Sequence, residues 1–156
     1  MNIRKVNAND RNLLKTILCD VKVFSDEEID TALELMDEYF ENGAGEYYIY
    51  VQTEGNEKVQ GFVCFGKAAL SENVYDIYWT VVHPDFQGQN VGTNLMDFAE
   101  KHIRKNGGSM ILIETSSTPE YKKALTFYRH RRYSQIARIP DFYSKGDDKL
   151  ILAKKL

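Results

Sequence analysis

The stretch from Val74 to Thr115 restricts the fold more than any other. Val74–Val82 is dense in β-branched and aromatic residues, the composition of a strand. Pro84 and Gly88 then mark a loop, and beyond it the apolar period changes from two to 3.6. Val91, Leu95, Phe98, Ala99 and His102 share one face of a helix, with Asp97, Glu100, Lys101, Arg104 and Lys105 expected outside. Gly107-Gly108 stops the helix, and Met110–Thr115 reads as a buried strand. Two strands joined by such a crossover are expected to be parallel, with a right-handed connection.

The flanking segments extend this unit into a mixed α/β sheet. A short strand at Ile3–Val6 leads into a helix from about Asn9. Ser25-Asp26-Glu27-Glu28 is a capping box for a second helix, with the stripe Ile29, Leu33, Met36 and Phe40 and a stop at Gly43. Tyr47–Gln52 and Lys58–Gly66, with a turn at Gly55-Asn56, form an antiparallel meander with Val74–Val82. Pro119–His130 reads as a helix, then Tyr133–Arg138 and Leu150–Ala153 as strands paired across a loop. The expectation is a single domain, residues 1–156, of about seven strands flanked by four helices.

Composition narrows the function classes. Hydrophobic residues are 43% and charged residues 28%, which excludes a disordered or fibrous chain. No apolar run reaches the length of a membrane span, and the first residues lack the apolar core of a secretory signal. Only Cys19 and Cys64 are present, so a disulfide framework is excluded and the cytoplasm is the expected compartment. His83, His102 and His130 show no metal spacing, and no metal is expected. Residues 1–100 carry 7 basic against 18 acidic side chains, and residues 101–156 carry 13 against 5. Such a chain offers an acidic part to a cation and a basic part to an anion, or merely two solvated faces.

The loop Val81–Thr93 joins a strand to a helix start, where unpaired N–H groups and the helix dipole favour a phosphate. It lacks the Gly-Lys-Ser/Thr of a P-loop and the glycines of a dinucleotide fingerprint. By spacing alone it is equally an anion-binding loop or a plain connection.

Gln87-Gly88-Gln89-Asn90-Val91-Gly92 resembles the acyl-CoA-binding motif Gln/Arg-x-x-Gly-x-Gly/Ala of the GNAT N-acetyltransferases, with Asn90 in place of the middle glycine. Val82-His83-Pro84-Asp85 before it resembles the family's Val-x-Pro-Asp strand end, and Ile113-Glu114, Ala124–Tyr128 and Asp141-Phe142-Tyr143 continue the likeness. The tail looks most like the branch acting on ribosomal-protein alanine and other protein N-termini, although Tyr121 stands where that branch has Asn, and Arg132-Tyr133 where members carry Gly-Phe. The resemblance implies a GNAT-like acyl-CoA N-acyltransferase fold and acetyl-CoA as cosubstrate. The acceptor would be a primary amine on a protein N-terminus, a lysine or a small molecule. It implies that the main chain of Thr80, Val81 and Val82 pairs with the pantetheine, that Gly88, Gln89, Asn90, Val91, Gly92 and Thr93 hold the pyrophosphate, and that Gln87, the first motif position, is cofactor-binding as well.

Acetyl transfer needs a neutral amine. At pH 7 about one lysine in a few thousand is neutral, but about one α-amino group in six. A carboxylate must therefore take the proton. The resemblance offers Glu114, the favoured base, and Asp76; each is equally readable as a strand carboxylate facing solvent. Tyr128 shares a helix stripe with Tyr121, Ala124 and Leu125, so the pattern reads it as a core aromatic or an acid. The resemblance makes it a cofactor contact and the donor to the leaving thiolate. Arg129, Arg131 and Arg132 are candidate partners of the adenosine phosphates or a solvated helix end. The acidic helix Ser25–Glu41 and the loop Asp141–Asp148 are candidate walls of an acceptor cleft. A non-catalytic acyl-CoA sensor is the alternative function. Nucleic acid is disfavoured as a partner by the acidic pI of about 5.6, no membrane is implied, and a homodimer is left open.

Overall fold

Ser25 opens the longest helix as its capping box predicts: its side chain accepts from the Glu28 amide, and the Glu28 carboxylate accepts from the Ser25 amide. In the computed structural model, which describes residues 2–43, 45–55 and 58–156, that helix is α2 (Asp26–Asn42). The remaining elements are β1 (Asn2–Lys5), α1 (Arg11–Asp20), β2 (Tyr47–Glu54), β3 (Lys58–Lys67), β4 (Val74–Val82), α3 (Val91–Lys105), β5 (Met110–Ser116), α4 (Lys122–His130), β6 (Ser134–Ser144) and β7 (Asp147–Lys155). Short 3-10 turns precede α1 at Ala8–Asp10, follow β4 at Pro84–Phe86 and precede α4 at Pro119–Tyr121. Asn56, half of the expected turn after β2, lies outside the described residues.

One seven-stranded sheet carries the order β1-β2-β3-β4-β5-β7-β6. β1 to β4 form the expected antiparallel meander, β4 and β5 are parallel, and β5, β7 and β6 are again antiparallel. The strand alternation divides the core in two. On one face Leu95, Met96, Ala99 and Ile103 of α3 pack with Tyr128 of α4 on Phe65, Ile77, Ile111 and Leu152. On the other, Leu14 and Leu18 of α1 and Leu33 and Met36 of α2 pack on Val51, Phe62 and Cys64. Close approach requires glycine at Gly61, where a Cβ would lie 2.5 Å from the Val81 carbonyl oxygen.

Two expectations are corrected. Glu100, assigned to the outer face of α3, is buried, because Arg131, Tyr133 and Lys154 converge on its carboxylate. The segment Asp141–Asp148 is mostly strand rather than loop. β6 runs to Ser144, and only Lys145 and Gly146 turn the chain, with Gly146 at φ +83. Its polar residues hold the hairpin together, since Asp148 accepts from the Asp141 amide and the Arg138 guanidinium.

Candidate active site

β4 and β5 pair for only three residues, Val74↔Met110, Tyr75↔Ile111 and Asp76↔Leu112, and then part. β4 continues on β3 alone and β5 on β7, so a gap opens along the last residues of β4. A bulge helps to swing β4 away: Cys64 faces Trp79 and Phe65 faces Ile77, leaving Tyr78 unmatched. Antiparallel ladders alternate which residues bond across. The His83 amide bonds the Gln60 carbonyl at 2.9 Å. Counting back, Val81 addresses β3, while Thr80 and Val82 turn their N–H and C=O groups to the gap. The Gln87 side-chain amide donates to the Val82 carbonyl at 3.4 Å, which agrees with that assignment.

At the mouth of this gap lies the start of α3. Gly88 holds φ +75, and Asn90 is left-handed at φ 63, ψ 8, a conformation that Asn tolerates better than other residues with a Cβ. Asn90 occupies the cap position of α3 with no side-chain hydrogen bond to the first turn. The N–H groups of Val91, Gly92 and Thr93 lie in that turn, at the positive end of a 15-residue helix. Lys123 of α4 reaches Gln87 Oε1 at 3.4 Å, bringing a cation beside the loop.

Tyr128 faces the gap from α4. Its side chain is buried, with its ring edge-on to Tyr133 and tilted against Phe127. Burial raises the phenol above its ordinary 10.0, and a hydrogen bond with the Thr80 side chain offsets part of that. Met96 Sδ, 3.3 Å from the Thr80 hydroxyl, is the alternative acceptor for its single proton. The phenol therefore sits beside the stretch of β4 whose main chain is free.

The carboxylates lie on the opposite face of the sheet, where the strands diverge. Glu114 is exposed and ion-paired with Lys149 Nζ at 2.9 Å. That ammonium also lies 3.7 Å from the centre of the Phe142 ring. Asp76 is half-buried, and burial followed by the Glu114 charge holds its carboxyl above the ordinary 3.8. Beside it the Tyr78 phenol is pushed up to about 12, by burial and then by Asp76.

The sequence of the protein matches the model of the acetyltransferase (GNAT) family over residues 13–132. The chain belongs to the acetyltransferase (GNAT) family. A GNAT-family protein from Desulfovibrio desulfuricans is 31% identical, with 99% of this chain and 98% of that one covered at a TM-score of 0.94. Two more distant structures share the fold. An aminoglycoside 6'-N-acetyltransferase complexed with coenzyme A is 16% identical, with 99% and 97% covered and a TM-score of 0.74. A ribosomal-protein-alanine N-acetyltransferase from Brucella melitensis is 14% identical, with both chains fully covered and a TM-score of 0.77. A search of curated proteins finds no match. The last two act on unlike acceptors with nearly equal fold similarity, so the GNAT fold by itself does not choose the acceptor.

The fold brings the candidate residues Thr80, Val82, the Gln87–Thr93 loop and Tyr128 to one face of the gap, and Asp76 and Glu114 to the other. The two candidate walls lie beside the gap, together with Phe24 and Trp79, which the sequence did not single out. Glu28, at the start of α2, accepts from the Tyr121 hydroxyl at 2.9 Å. Phe24 lies edge-on to Trp79 and to Tyr121, with centroids 5.2 and 6.5 Å away. Tyr143 comes within the fields of Glu114, Asp147 and Glu28, which with burial raise its phenol. α2 and the β6–β7 hairpin thus approach the cleft from two sides. Arg131, a candidate for the adenosine phosphates, instead pairs with Asp97 and Glu100. His102 packs among Tyr48, Tyr50 and Phe98, and His83 accepts from the Asp85 amide. Among the described residues no group of three or more His, Cys, Asp or Glu forms a metal-ligand set, and no helix is long and apolar enough to cross a membrane.

The raised Asp76 yields a test of stability. Below about 3.8 the carboxyl is neutral in folded and unfolded chains alike, and it contributes nothing. As pH rises from there through the raised folded value, the folded state loses stability, because the unfolded chain ionises first. Asp76→Asn is expected to raise Tm by about 2 °C at pH 7, and the gain is expected to vanish as the pH approaches 4. Thermal melts across that range check it; an unchanged or lower Tm at pH 7 would show that the carboxylate is not strained there.

Proposed function

We propose that the protein transfers an acetyl group directly from acetyl-CoA to a primary amine. The observation that carries this reading is the divergence of β4 from β5 beside an uncapped helix start. The free N–H and C=O groups of Thr80 and the N–H of Val82, whose carbonyl accepts from Gln87, fit the amides of pantetheine, which would add to β4 like a further strand. The α3 amides and Lys123 fit the pyrophosphate. Main-chain N–H groups of the same β4 stretch would meet the negative charge that grows on the thioester oxygen.

The chemistry then needs a proton acceptor and a hydrogen-bond donor. Glu114 takes the proton from the ammonium, with Asp76 as the second candidate base. The freed nitrogen attacks the thioester carbon and the C–S bond breaks. Tyr128 donates a hydrogen bond to the sulfur as it departs, and the second proton that the nitrogen sheds as the amide forms passes to the thiolate, leaving the phenol protonated. Cys64 does not serve as an acyl carrier, since its thiol is buried and burial pushes it far above the ordinary 9.0. The carboxylates of Glu28, Asp76, Glu114 and Asp147 favour a cationic acceptor.

Thiol release on mixing with acetyl-CoA and a panel of amines tests the reading. The panel should include an N-terminal alanine peptide, an acetyl-lysine precursor peptide, a polyamine and an aminoglycoside. Amine-dependent release, with a 42 Da gain on the acceptor, is expected. Tight coenzyme A binding without release from any amine would identify a sensor instead.

A further inference from the structure

A second cavity, of about 810 Å³, opens at the end of the domain away from the Gln87–Thr93 loop, between α3, the end of α4 and the strands β7 and β6. Arg104, on its wall, stands about 20 Å along α3 from Val91 at 1.5 Å per residue. The acids of the cavity are already neutralised. Arg131 bonds Asp97 and Glu100 at 2.6 and 3.0 Å, and Lys154 bonds Glu100 at 2.7 Å. Three more cations line the cavity, Arg104, Arg132 and Lys155, and among the described residues none of their side chains has a hydrogen-bond or ion-pair partner. Arg131 keeps its Nε buried with no acceptor. Met110, Ala153 and the exposed Ile136 add an apolar surface.

Arg132 is the most telling of these residues. It holds φ +67 directly after α4, a left-handed position where a helix ordinarily ends in glycine. The chain keeps a guanidinium at a strained position on the wall of a basic cavity. The volume lies in the range of small-molecule sites, and planar guanidinium groups match phosphate oxygens in pairs.

We propose that this cavity is an anion site separate from the acetyl-transfer cleft, taking a phosphorylated small molecule with at least two negative charges and an apolar portion. Arg104, Arg132 and Lys155 hold the phosphates, and Met110, Ile136 and Ala153 face the apolar part. ADP and inorganic pyrophosphate are the probes, titrated by calorimetry into the protein both alone and saturated with coenzyme A. ADP binding that persists under saturating coenzyme A is expected, weakening as salt is raised. Arg132→Gly should weaken it at least about tenfold. Glycine suits φ +67, so that variant should keep or raise the Tm, and lost binding is then not lost folding. Three results would overturn the assignment: no ADP binding at about 5 mM, equal affinity in Arg132→Gly, or full competition by coenzyme A. Pyrophosphate binding as tightly as ADP would remove the apolar half of it. None of these outcomes depends on acetyl transfer.

Discussion

Tyr128→Phe is expected to lower kcat about a hundredfold while changing the dissociation constant of coenzyme A by less than about threefold. The substitution removes one oxygen and keeps the ring, so the contacts with Phe127 and Tyr133 survive. The Thr80 hydroxyl then has Met96 Sδ as its acceptor, and no hydroxyl is stranded. The stability cost is therefore about that of one hydrogen bond, near 1 kcal/mol. The size of the kinetic effect follows from the leaving group. A thiol titrates near 8.5, whereas the Tyr128 phenol lies above 10.0. Full proton transfer to the free thiolate is thus uphill by about 2 kcal/mol or more. What the phenol supplies is mainly a hydrogen bond to sulfur as it gains charge, worth about 1.5–3 kcal/mol, and a hundredfold is 2.7 kcal/mol. Burial keeps the donor protonated through the working range, so the rate should show no basic limb from Tyr128 below pH 10. Wild-type turnover in the variant would remove the donor role. A collapse of coenzyme A affinity would make the hydroxyl a binding group instead.

What could be read from the sequence was local. The Ser25–Glu28 box, the β4 limits at Val74 and Val82 and the left-handed Asn90 each depend on neighbours within a few positions, where backbone rules act. The β4–β5 crossover followed from the change of period alone. What escaped involves partners far along the chain. Helical periodicity placed Glu100 outside. It is drawn in by Arg131, Tyr133 and Lys154, 31, 33 and 54 residues away. The same pairing removes Arg131 from the phosphate role that its basic neighbours suggested. Lys149 meets Glu114 because β7 returns antiparallel beside β5, with Ser116 opposite Lys149, a register that no motif encodes. Asp141–Asp148 looked like a loop because its composition is charged, yet the Asp148 carboxylate accepts from the Asp141 amide and the Arg138 guanidinium, and the Asp148 amide donates to Ser117 Oγ, which fixes the hairpin. The candidate acceptor walls are held by such contacts, as with Tyr121 and Glu28, 93 residues apart. For that reason the turn at Gln87–Thr93 was readable from a motif, and the contacts that position the candidate walls were not.

Glu114→Gln carries the second large effect, and its pH dependence is the informative part. Gln keeps the shape of the side chain and cannot accept the ammonium proton. The fold should tolerate it, because Glu114 is exposed on β5 and Lys149 keeps its contact with the Phe142 ring. At pH 6.5 kcat/KM is expected to fall about thirtyfold, within the ordinary range for lost general-base help. The deficit should shrink as the pH rises, because the amine then loses its proton to solvent before it binds. For an α-amino acceptor, with a reference value near 7.7, the gap should nearly close by about pH 9. For a lysine-type amine near 10.4 it should persist across the whole range. The same profiles decide between the carboxylates. Asp76→Asn should leave kcat/KM within about threefold of wild type if Glu114 alone takes the proton. A thirtyfold loss in Asp76→Asn with Glu114→Gln unaffected would move the base to β4. Equal losses in both, no worse in the double variant, would mean that the two act as one proton-accepting unit across the point where the strands separate.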